Sequence, residues 1–339
     1  MIDIDPIESI LSSKLSAGAP FHPSEVLLEE GFVSSQKSTD LEEGETFVEE
    51  QSQMGIPKKS LTPRYPKAIQ VIAIDSTSFV LGHIPDGVLG AIRASIVTKP
   101  ANESKRRLSR YGPHIVKVTE QEKDSFYQQF YRAVYGIETR SSAPDLAATL
   151  DQSRNLFERY LQQKVVREQK NSLILLDGSL TAAAIVKPSS FVGRLLEDAA
   201  RNGSSIVAIS KTTRLVLEKS RRNILSLVED IHGPCSIGGL GKRIKQNQDR
   251  YLGEIYVARF TPFGEPFRVD LPEDTPIPHD EILNLVSGLA GDYGYPEELR
   301  LAHMTCVLSA IEILELQSAA ISLHGLIMRE EPRTRLFPL

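Results

Sequence analysis

Residues 71–78 read VIAIDSTS, a run of strand-forming residues followed directly by a carboxylate and three hydroxyl side chains. Aliphatic and β-branched residues at this density are typical of a strand inside a protein. A buried carboxylate without a partner costs several kcal/mol, so we expect Asp75 to be paired, solvated or bound to a metal ion. Which of these applies depends on the residues that the fold brings next to Asp75.

Composition places the chain among ordinary globular proteins. It has 339 residues, 41% hydrophobic and 24% charged, which predicts one large or two modest domains. No run reads as long and apolar enough to cross a bilayer, and the first residues are acidic, so we expect a cytoplasmic protein that does not bind a membrane. The two cysteines, Cys235 and Cys306, form no CxxC pair, so any metal is expected on oxygen or histidine ligands.

The charge is distributed unevenly along the chain. Residues 1–66 contain 12 acidic and 5 basic residues, whereas residues 67–339 contain 32 and 34. We therefore predict an acidic N-terminal extension over 1–66, partly helical or disordered, and a folded domain over 67–339. The extension contains candidate helices at 6–15 and 24–30 and a linker-like stretch at 34–53.

The first part of the domain reads as a β-meander. Three strand-like segments follow one another at 68–75, 77–84 and 87–98, and turn-forming residues separate them. Turns this short join antiparallel neighbours. A basic loop is predicted after the meander, at 105–110.

Helices and strands then alternate, which predicts parallel strands added to the meander. The fold class is α/β: a mixed sheet, made of a three-stranded antiparallel meander and parallel strands, flanked by helices. Helices are predicted at 120–135, 143–168, 190–202, 213–231, 279–289 and 296–315, and strands at 173–176, 205–209, 252–260 and 267–271.

Two of the apolar strands end in aspartate. VIAID ends at Asp75 and LILLD ends at Asp177. When a meander is extended by a parallel crossover, its first and fourth strands are neighbours, so we expect the two carboxylates to lie side by side. Two like charges at that separation require a cation, and oxygen ligands favour Mg²⁺ or Mn²⁺. The alternative is that each aspartate caps its own turn.

Four short motifs carry a resemblance to a known family. They are IDSTS at 74–78, LLDGSL at 175–180, ISKTTRL at 209–215 and GYPEELRLAH at 294–303. In this order they resemble the NurA nucleases, prokaryotic DNA-end-processing enzymes with a ribonuclease-H-like core. The resemblance extends from about residue 68 to the C-terminus and leaves out the acidic extension.

The resemblance implies a set of metal ligands. Asp75 and Asp177 match the strand carboxylates that hold the metal ions, and Glu158 is the expected helix ligand, with Glu168 as the alternative. His303 is implied as a ligand or as a general acid/base. Without the resemblance, a histidine at this position of a helix is more often a partly buried structural residue.

The resemblance also implies phosphate contacts. Tyr295 is placed close to the scissile phosphate, and Lys211 is expected to neutralise a phosphate oxygen. The basic cluster Lys105, Arg106 and Arg107 is a further candidate for DNA phosphate binding. Alone, Tyr295 would be a packing residue, and the four basic residues would be solvated surface residues.

The function implied is a divalent-metal-dependent deoxyribonuclease that uses Mn²⁺ or Mg²⁺, with two ions. The resemblance implies a 5′ to 3′ exonuclease with single-strand endonuclease activity, acting on single- and double-stranded DNA in the repair of double-strand breaks. It also implies a homodimer that works with a hexameric HerA-like ATPase. Two alternatives stay open: a non-catalytic DNA-binding or adaptor protein, and an ATP-dependent phosphotransferase. Against the latter, the loop SIGGLGK at 236–242 lacks the first glycine of the Walker pattern.

Overall fold

The computed structural model describes residues 25–28, 46–49, 58–139, 141–183, 187–244, 248–324 and 327–328. Within them the strands are β1 (Glu25–Leu28), β2 (Thr46–Val48), β3 (Lys58–Ser60), β4 (Gln70–Ile84), β5 (Gly87–Lys99), β6 (Arg107–Thr119), β7 (Ser172–Asp177), β8 (Ser205–Ser210), β9 (Leu215–Leu217), β10 (Cys235–Ile237), β11 (Glu254–Arg259), β12 (Pro266–Leu271) and β13 (Ile327–Met328). The α-helices are α1 (Lys123–Tyr135), α2 (Leu146–Glu168), α3 (Ser189–Arg201), α4 (His279–Leu289), α5 (Glu297–Cys306) and α6 (Ala310–His324).

One large mixed sheet organises the molecule. Its centre has the order β6-β5-β4-β7-β8, in which β4, β5 and β6 are antiparallel and β4, β7 and β8 are parallel. Strands β12, β11, β10 and β3 continue the sheet beyond β8 with antiparallel pairings. This is the ribonuclease-H-like arrangement predicted from the sequence, and the predicted contact between the first meander strand and the first parallel strand is confirmed.

The three strands of the meander are not the three predicted ones: the first two predicted strands form one strand, and the third strand lies further along the chain. The expected turn at Asp75 does not form, because the backbone on both sides of it pairs continuously with β5, as in the pairs Asp75↔Ser95 and Ser76↔Ala94. The first two predicted strands are therefore the single strand β4. The third meander strand is β6, which replaces the predicted basic loop. Because β6 lies at the edge of the sheet, its first residues are exposed and accommodate charged side chains.

Strand β4 shares one of its edges between two partners. Strand β7 pairs with residues 70–74 and β1 pairs with residues 82–83. Among the described residues, no strand pairs with this edge between those two stretches. Asp75 is the first residue of that unpaired stretch, so the gap opens beside it.

The two faces of the sheet carry separate cores. On β4, Ile72 and Ile74 point to the core formed with α1, α2 and α3, whereas Val71 and Ala73 point to the core formed with α4 and α5. Period-2 alternation places Asp75 on the second face and Ser76 on the first. Helices on both faces therefore reach the same point of β4.

Two helix predictions are wrong. The segment predicted as a helix over 213–231 contains β9 and a 3₁₀ turn at Ile224–Val228, because Leu215–Leu217 pairs with β2 and Asn223 caps the turn. The helix predicted over 24–30 is the strand β1, which pairs with β4. Within the stretch predicted to be a linker, Thr46–Val48 is a strand. The helix predicted at 6–15 lies outside the described residues.

The C-terminal helical segment differs from the predicted single helix at 296–315. It consists of α5 and α6, which are separated at residues 307–309, where Ser309 and Glu312 cap each other in the manner of a capping box. By length and composition the segment Glu297–Ser322 could cross a membrane: it contains an 18-residue window with a mean hydropathy of 1.5, of which 28% is buried, and the sequence analysis did not anticipate this. Helix α5 packs against β4 and β5 and contributes Leu299 and Ala302 to the core, a position that apolar helices also occupy in globular proteins.

Candidate active site

Asp75 and Asp177 are neighbours across the parallel strands β4 and β7. The last register pair between these strands is Ile74↔Leu176, so the next residue of each strand is the aspartate. Neighbouring strands lie about 4.8 Å apart. Strand β7 ends at Asp177, and Gly178, at φ +107°, turns the chain away from the sheet. The expectation that the two aspartates lie side by side on neighbouring strands is therefore met.

His303 approaches Asp75 from α5. Its Nδ1 lies 2.8 Å from Asp75 Oδ2. The other oxygen of Asp75 accepts a hydrogen bond from the Ser76 backbone N–H at 2.8 Å. Helix α5 is held in place because Ser95 Oγ donates to the carbonyl of Ala302 at 2.6 Å, one residue before His303. The side chain of Asp75 is 9% exposed and that of His303 is 31% exposed, so the imidazole lies on the solvent side of the pair.

Glu158 reaches the same place from α2, on the opposite face of the sheet. Ser76 Oγ donates to Glu158 Oε2 at 2.5 Å, and Arg154 Nη1 lies 3.5 Å from the same oxygen. Gln162 Nε2 donates to Oε1 at 3.1 Å. Burial raises the pKa of Glu158 from its ordinary value of 4.5 to about 7, Arg154 opposes this shift, and the negative charge of Asp75 adds to it. Glu158 is thus a buried acid that ionises only near neutral pH in the metal-free protein.

Asp177 lies beside two further predicted residues, Lys211 and Tyr295. Lys211 Nζ lies 2.7 Å from Asp177 Oδ2 and 4.8 Å from the centre of the Tyr295 ring. Burial raises the pKa of Asp177, the cation of Lys211 opposes the shift, and Asp75 adds to it. The Tyr295 hydroxyl is buried beside Asp177 and makes no hydrogen bond of normal geometry among the described residues. Burial, followed by the charge of Asp177, raises its pKa well above the ordinary value, so the hydroxyl stays protonated and is available as a donor.

When all three carboxylates are ionised and His303 is neutral, the cluster carries one more negative charge than the two cations Lys211 and Arg154 supply. Three carboxylates, those of Asp75, Glu158 and Asp177, act on one another, and burial and mutual repulsion raise the pKa of the last two. A divalent cation would relieve this repulsion, and carboxylate oxygen with imidazole nitrogen is a donor set that suits Mn²⁺ and, for the oxygens, Mg²⁺. The residues therefore fit the predicted metal.

A cysteine lies beside this cluster, which the sequence analysis did not foresee. The ligand atoms of Asp75, His303 and Cys306 lie within 4.8 Å of one another. Cys306 Sγ is 3.2 Å from the His303 carbonyl oxygen, to which it donates, and burial raises the pKa of the thiol. The thiol is therefore held in its protonated form, which is a poor ligand for a hard cation.

Sequence reasoning also missed Ser76 and Arg154, which hold Glu158 in place. Ser76 stands inside the motif IDSTS, but only the strand alternation shows that it faces α2 while Asp75 faces α5. Arg154 precedes Glu158 by four residues, the spacing that places two side chains on one helix face. That spacing was the available signal for Arg154.

Some predicted residues lie elsewhere or are already paired. Glu168, the alternative to Glu158, is exposed at the end of α2, about 15 Å along the helix. Arg106 forms a salt bridge at 3.0 Å with the fully buried Glu298 of α5, and Arg107 pairs at 2.8 Å with Glu103. Lys105 is exposed. Two members of the predicted phosphate-binding cluster thus have carboxylate partners.

A buried ion pair on β12 fixes the loop that follows Asp177. Arg268 forms hydrogen bonds with both oxygens of Asp270 at 2.8 Å. Asp270 Oδ2 also accepts from the Leu180 N–H at 2.9 Å, and Arg268 donates to Thr181 Oγ1 at 2.8 Å. Leu180 and Thr181 are thereby tied to the sheet three and four residues after the carboxylate that ends β7.

A family model described as the NurA domain matches residues 69–308. Among solved structures, the NurA nuclease from Sulfolobus solfataricus is similar at 14% identity, over 79% of this chain and 88% of that one, with a TM-score of 0.51. Endonuclease V from Streptomyces avermitilis (14% identity, 76% and 87% covered, TM-score 0.38) and a NurA with manganese (10% identity, 78% and 91% covered, TM-score 0.41) are more distant. Of these three, the first establishes a shared fold. No curated protein matches the chain.

Proposed function

The chain belongs to the NurA domain family, and we propose that it is a divalent-metal-dependent deoxyribonuclease that hydrolyses phosphodiester bonds beside Asp75 and Asp177. The observation that carries the proposal is the excess of buried negative charge. Three carboxylates from β4, α2 and β7 lie close enough for their charges to interact: those of Asp75 and Asp177 raise the pKa of Glu158, and that of Asp75 raises the pKa of Asp177. A purely structural cluster would be expected to contain enough cations to balance it.

Asp75, Glu158, Asp177 and His303 are the residues that would hold the cations, for which we propose two Mn²⁺ or Mg²⁺ ions. When bound, such ions activate a water molecule and stabilise the charge on the attacked phosphate. The carboxylates fix the position of this chemistry because Ser76 and Arg154 hold Glu158, and the strand register holds the two aspartates.

The other residues act on protons and on the phosphate. Asp75 accepts from Nδ1 of His303, which fixes the ring, and the imidazole can exchange a proton or bind a cation. The protonated hydroxyl of Tyr295 can donate to a phosphoryl oxygen. The ammonium of Lys211, 46% exposed, can turn from Asp177 to a phosphate.

Further phosphate contacts are proposed on the exposed part of β6 and the residues before it. Lys105 keeps its predicted role, and Arg110 joins it because the register Asp75↔Ser95↔Arg110 places it two strands from the aspartate, about 10 Å away. Arg106 and Arg107 can contribute only by leaving their present carboxylate partners.

For the biological setting we retain the predictions from the resemblance: a cytoplasmic homodimer that acts as a 5′ to 3′ exonuclease and single-strand endonuclease in double-strand break repair, with a HerA-like hexameric ATPase. Residues 67–339 have almost equal numbers of acidic and basic residues, so the domain has little net positive charge with which to bind DNA. This supports a partner protein that contributes DNA-binding affinity. The exposed Ile311 and Leu314 on α6 support a protein contact on this helix.

The test is to compare wild type with Asp75→Ala and Asp177→Ala on single-stranded and duplex DNA in the presence of Mn²⁺. We expect both variants to lose cleavage and to bind less Mn²⁺ in calorimetry. Glu158→Gln should behave in the same way, whereas Glu168→Gln is the matched control on the same helix and should retain both properties. Wild-type cleavage in either aspartate variant would refute the mechanism. DNA binding by the wild type without Mn²⁺ uptake or cleavage would favour the adaptor function.

A further inference from the structure

Two aromatic side chains near the candidate site are almost fully exposed to solvent. Phe263, in the turn between β11 and β12, is 100% exposed, and Tyr293, in the turn before α5, is 83% exposed. Exposing large apolar rings has a cost in water, and side chains of this kind are enriched where a protein binds a partner. Neither ring belongs to the carboxylate cluster.

The two turns that carry these rings are packed against each other through glycines. A Cβ atom on Gly264 would lie 2.9 Å from the Cα of Gly294 and 3.2 Å from the Tyr293 carbonyl oxygen, so only glycine permits this approach. Gly294 has φ +81°, which also favours glycine. Phe263 and Tyr293 each precede one of these two glycines, so the residues lie in adjacent turns.

The sheet topology places this pair at the same edge as Asp177. Asp177 on β7 is paired with Ile209 on β8, and the following residue of β8, Ser210, is paired with Arg268 near the start of β12. The turn that precedes β12 therefore lies at the same end of the strands as Asp177, the last residue of β7. Two strand spacings separate β7 from β12, or about 10 Å.

Tyr295 connects the aromatic pair to the candidate catalytic residues. It follows Tyr293 by two residues, and its carbonyl accepts from the Gly291 N–H at 3.0 Å, which closes the turn. Its ring packs against Phe267 of β12 at 5.4 Å and lies under Lys211, the partner of Asp177. Tyr295 therefore links the turn that carries Tyr293 to Lys211 and Asp177.

We propose that Phe263 and Tyr293 form a binding site for unpaired DNA bases, one to three nucleotides from the phosphate held at Asp177. This inference rests on the proposed function. Every base has a face that an aromatic ring can stack on, but in a duplex these faces are covered, so the site selects unpaired nucleotides. The adjacent Glu265 and Asp292 are acidic, so the contact is made by the rings and not by attraction to phosphates.

The direct test uses an oligothymidylate that carries 2-aminopurine at one of the first four positions from its end, with Ca²⁺ in place of Mn²⁺ to prevent cleavage. In the wild type we expect the fluorescence to be quenched at one or two of these positions. The double variant Phe263→Ala/Tyr293→Ala should lose the quenching and bind the single strand about 10- to 100-fold more weakly, with blunt duplex binding unchanged. Both rings are exposed, so the variant is expected to fold.

Two further variants serve as controls. Phe263→Trp/Tyr293→Phe keeps both rings and should retain binding, whereas Ile137→Ala removes an exposed apolar side chain just after α1 and should leave it unchanged. Unaltered quenching and an unaltered preference for single strands in the double alanine variant would overturn the inference while leaving the nuclease intact. Loss of self-association without any change in DNA binding would assign the rings to a protein contact. A wild type that neither cleaves nor binds DNA would refute the proposed function and the base site together.

Discussion

Two buried charged clusters lie two strands apart in the same sheet, and they are built differently. On β12, Arg268 and Asp270 have side chains only 1% and 4% exposed, and the guanidinium binds both carboxylate oxygens. Around the end of the β4 and β7 pairing lie Asp75, Glu158 and Asp177; the cations beside them are the partly exposed Lys211 and the more distant Arg154, and the imidazole of His303 contacts Asp75.

The difference separates a structural cluster from a functional one. The pair on β12 balances its own charge and satisfies the loop after Asp177, so it needs no further ligand. The carboxylate cluster does not balance its charge, and burial and repulsion raise the pKa of Glu158 and Asp177. Buried charge that is balanced should be required for stability, whereas buried charge in excess should be required for activity and should cost stability in the metal-free protein.

The largest expected effect is that of Asp177→Asn on cleavage. The amide keeps the shape of the side chain but removes a metal ligand, so we expect cleavage with Mn²⁺ to fall on the order of 10⁴-fold, about 5 kcal/mol on the activation barrier. The free energy of unfolding in EDTA should stay the same or rise, because one repelling charge is gone. Single-turnover cleavage and urea unfolding measure the two quantities. Asp280→Asn, which breaks only an exposed pair with Lys59, is the control, and a stability loss beyond that control would contradict the comparison.

Arg268→Met should have the opposite profile. It leaves Asp270 buried without its cation, which should lower the free energy of unfolding by about 4 kcal/mol. The double variant Arg268→Met/Asp270→Leu should recover part of that loss, because the unpaired charge is then removed, while the Leu180 N–H still lacks its acceptor. Urea unfolding of the three proteins measures these differences. Equal stability of wild type and Arg268→Met would show that the pair is not structural.

The position of the two aspartates was predictable and the environment of each was not. Apolar runs ending in Asp75 and Asp177 fix the register of parallel neighbours, because every residue of such a run must be buried. That β4 continues past Asp75 depends on pairing with β5, since the local residues, Asp followed by Ser, are equally typical of a turn.

Other features required tertiary structure. Glu158 was identified by resemblance, and its distinction from Glu168 became clear only from the direction of α2 across the sheet. The strand β6 was missed because its first residues are charged, and charged residues are tolerated on an edge strand that faces water. The exposure of Phe263 cannot be read from the sequence, because an aromatic residue near a turn is usually buried.

The stability of the metal-free protein should depend on pH through its buried carboxylates. In the metal-free protein the stability associated with Glu158 is fully present below pH 4.5, where the acid is protonated in both states, and it is lost as the pH rises to about 7. The loss should be roughly 3 kcal/mol, and Asp177 should act in the same direction. Urea unfolding in EDTA at pH 5 and pH 8 measures it. Glu158→Gln should reduce the difference between the two pH values, and Glu168→Gln should not; equal pH dependence in all three proteins would refute the role of burial.

The smallest expected effect concerns Cys306, which lies beside the excess charge but should not take part in balancing it. Burial keeps its thiol protonated, and Mn²⁺ prefers oxygen and nitrogen donors, so Cys306→Ser should change the Mn²⁺ dissociation constant by less than about 3-fold. Cd²⁺, a softer ion, gains from a thiolate, and its affinity should fall more than that of Mn²⁺ in the same variant. Calorimetry with both metals distinguishes these outcomes. A loss of Mn²⁺ affinity of 10-fold or more would make the sulfur a ligand and extend the functional cluster to a fifth side chain.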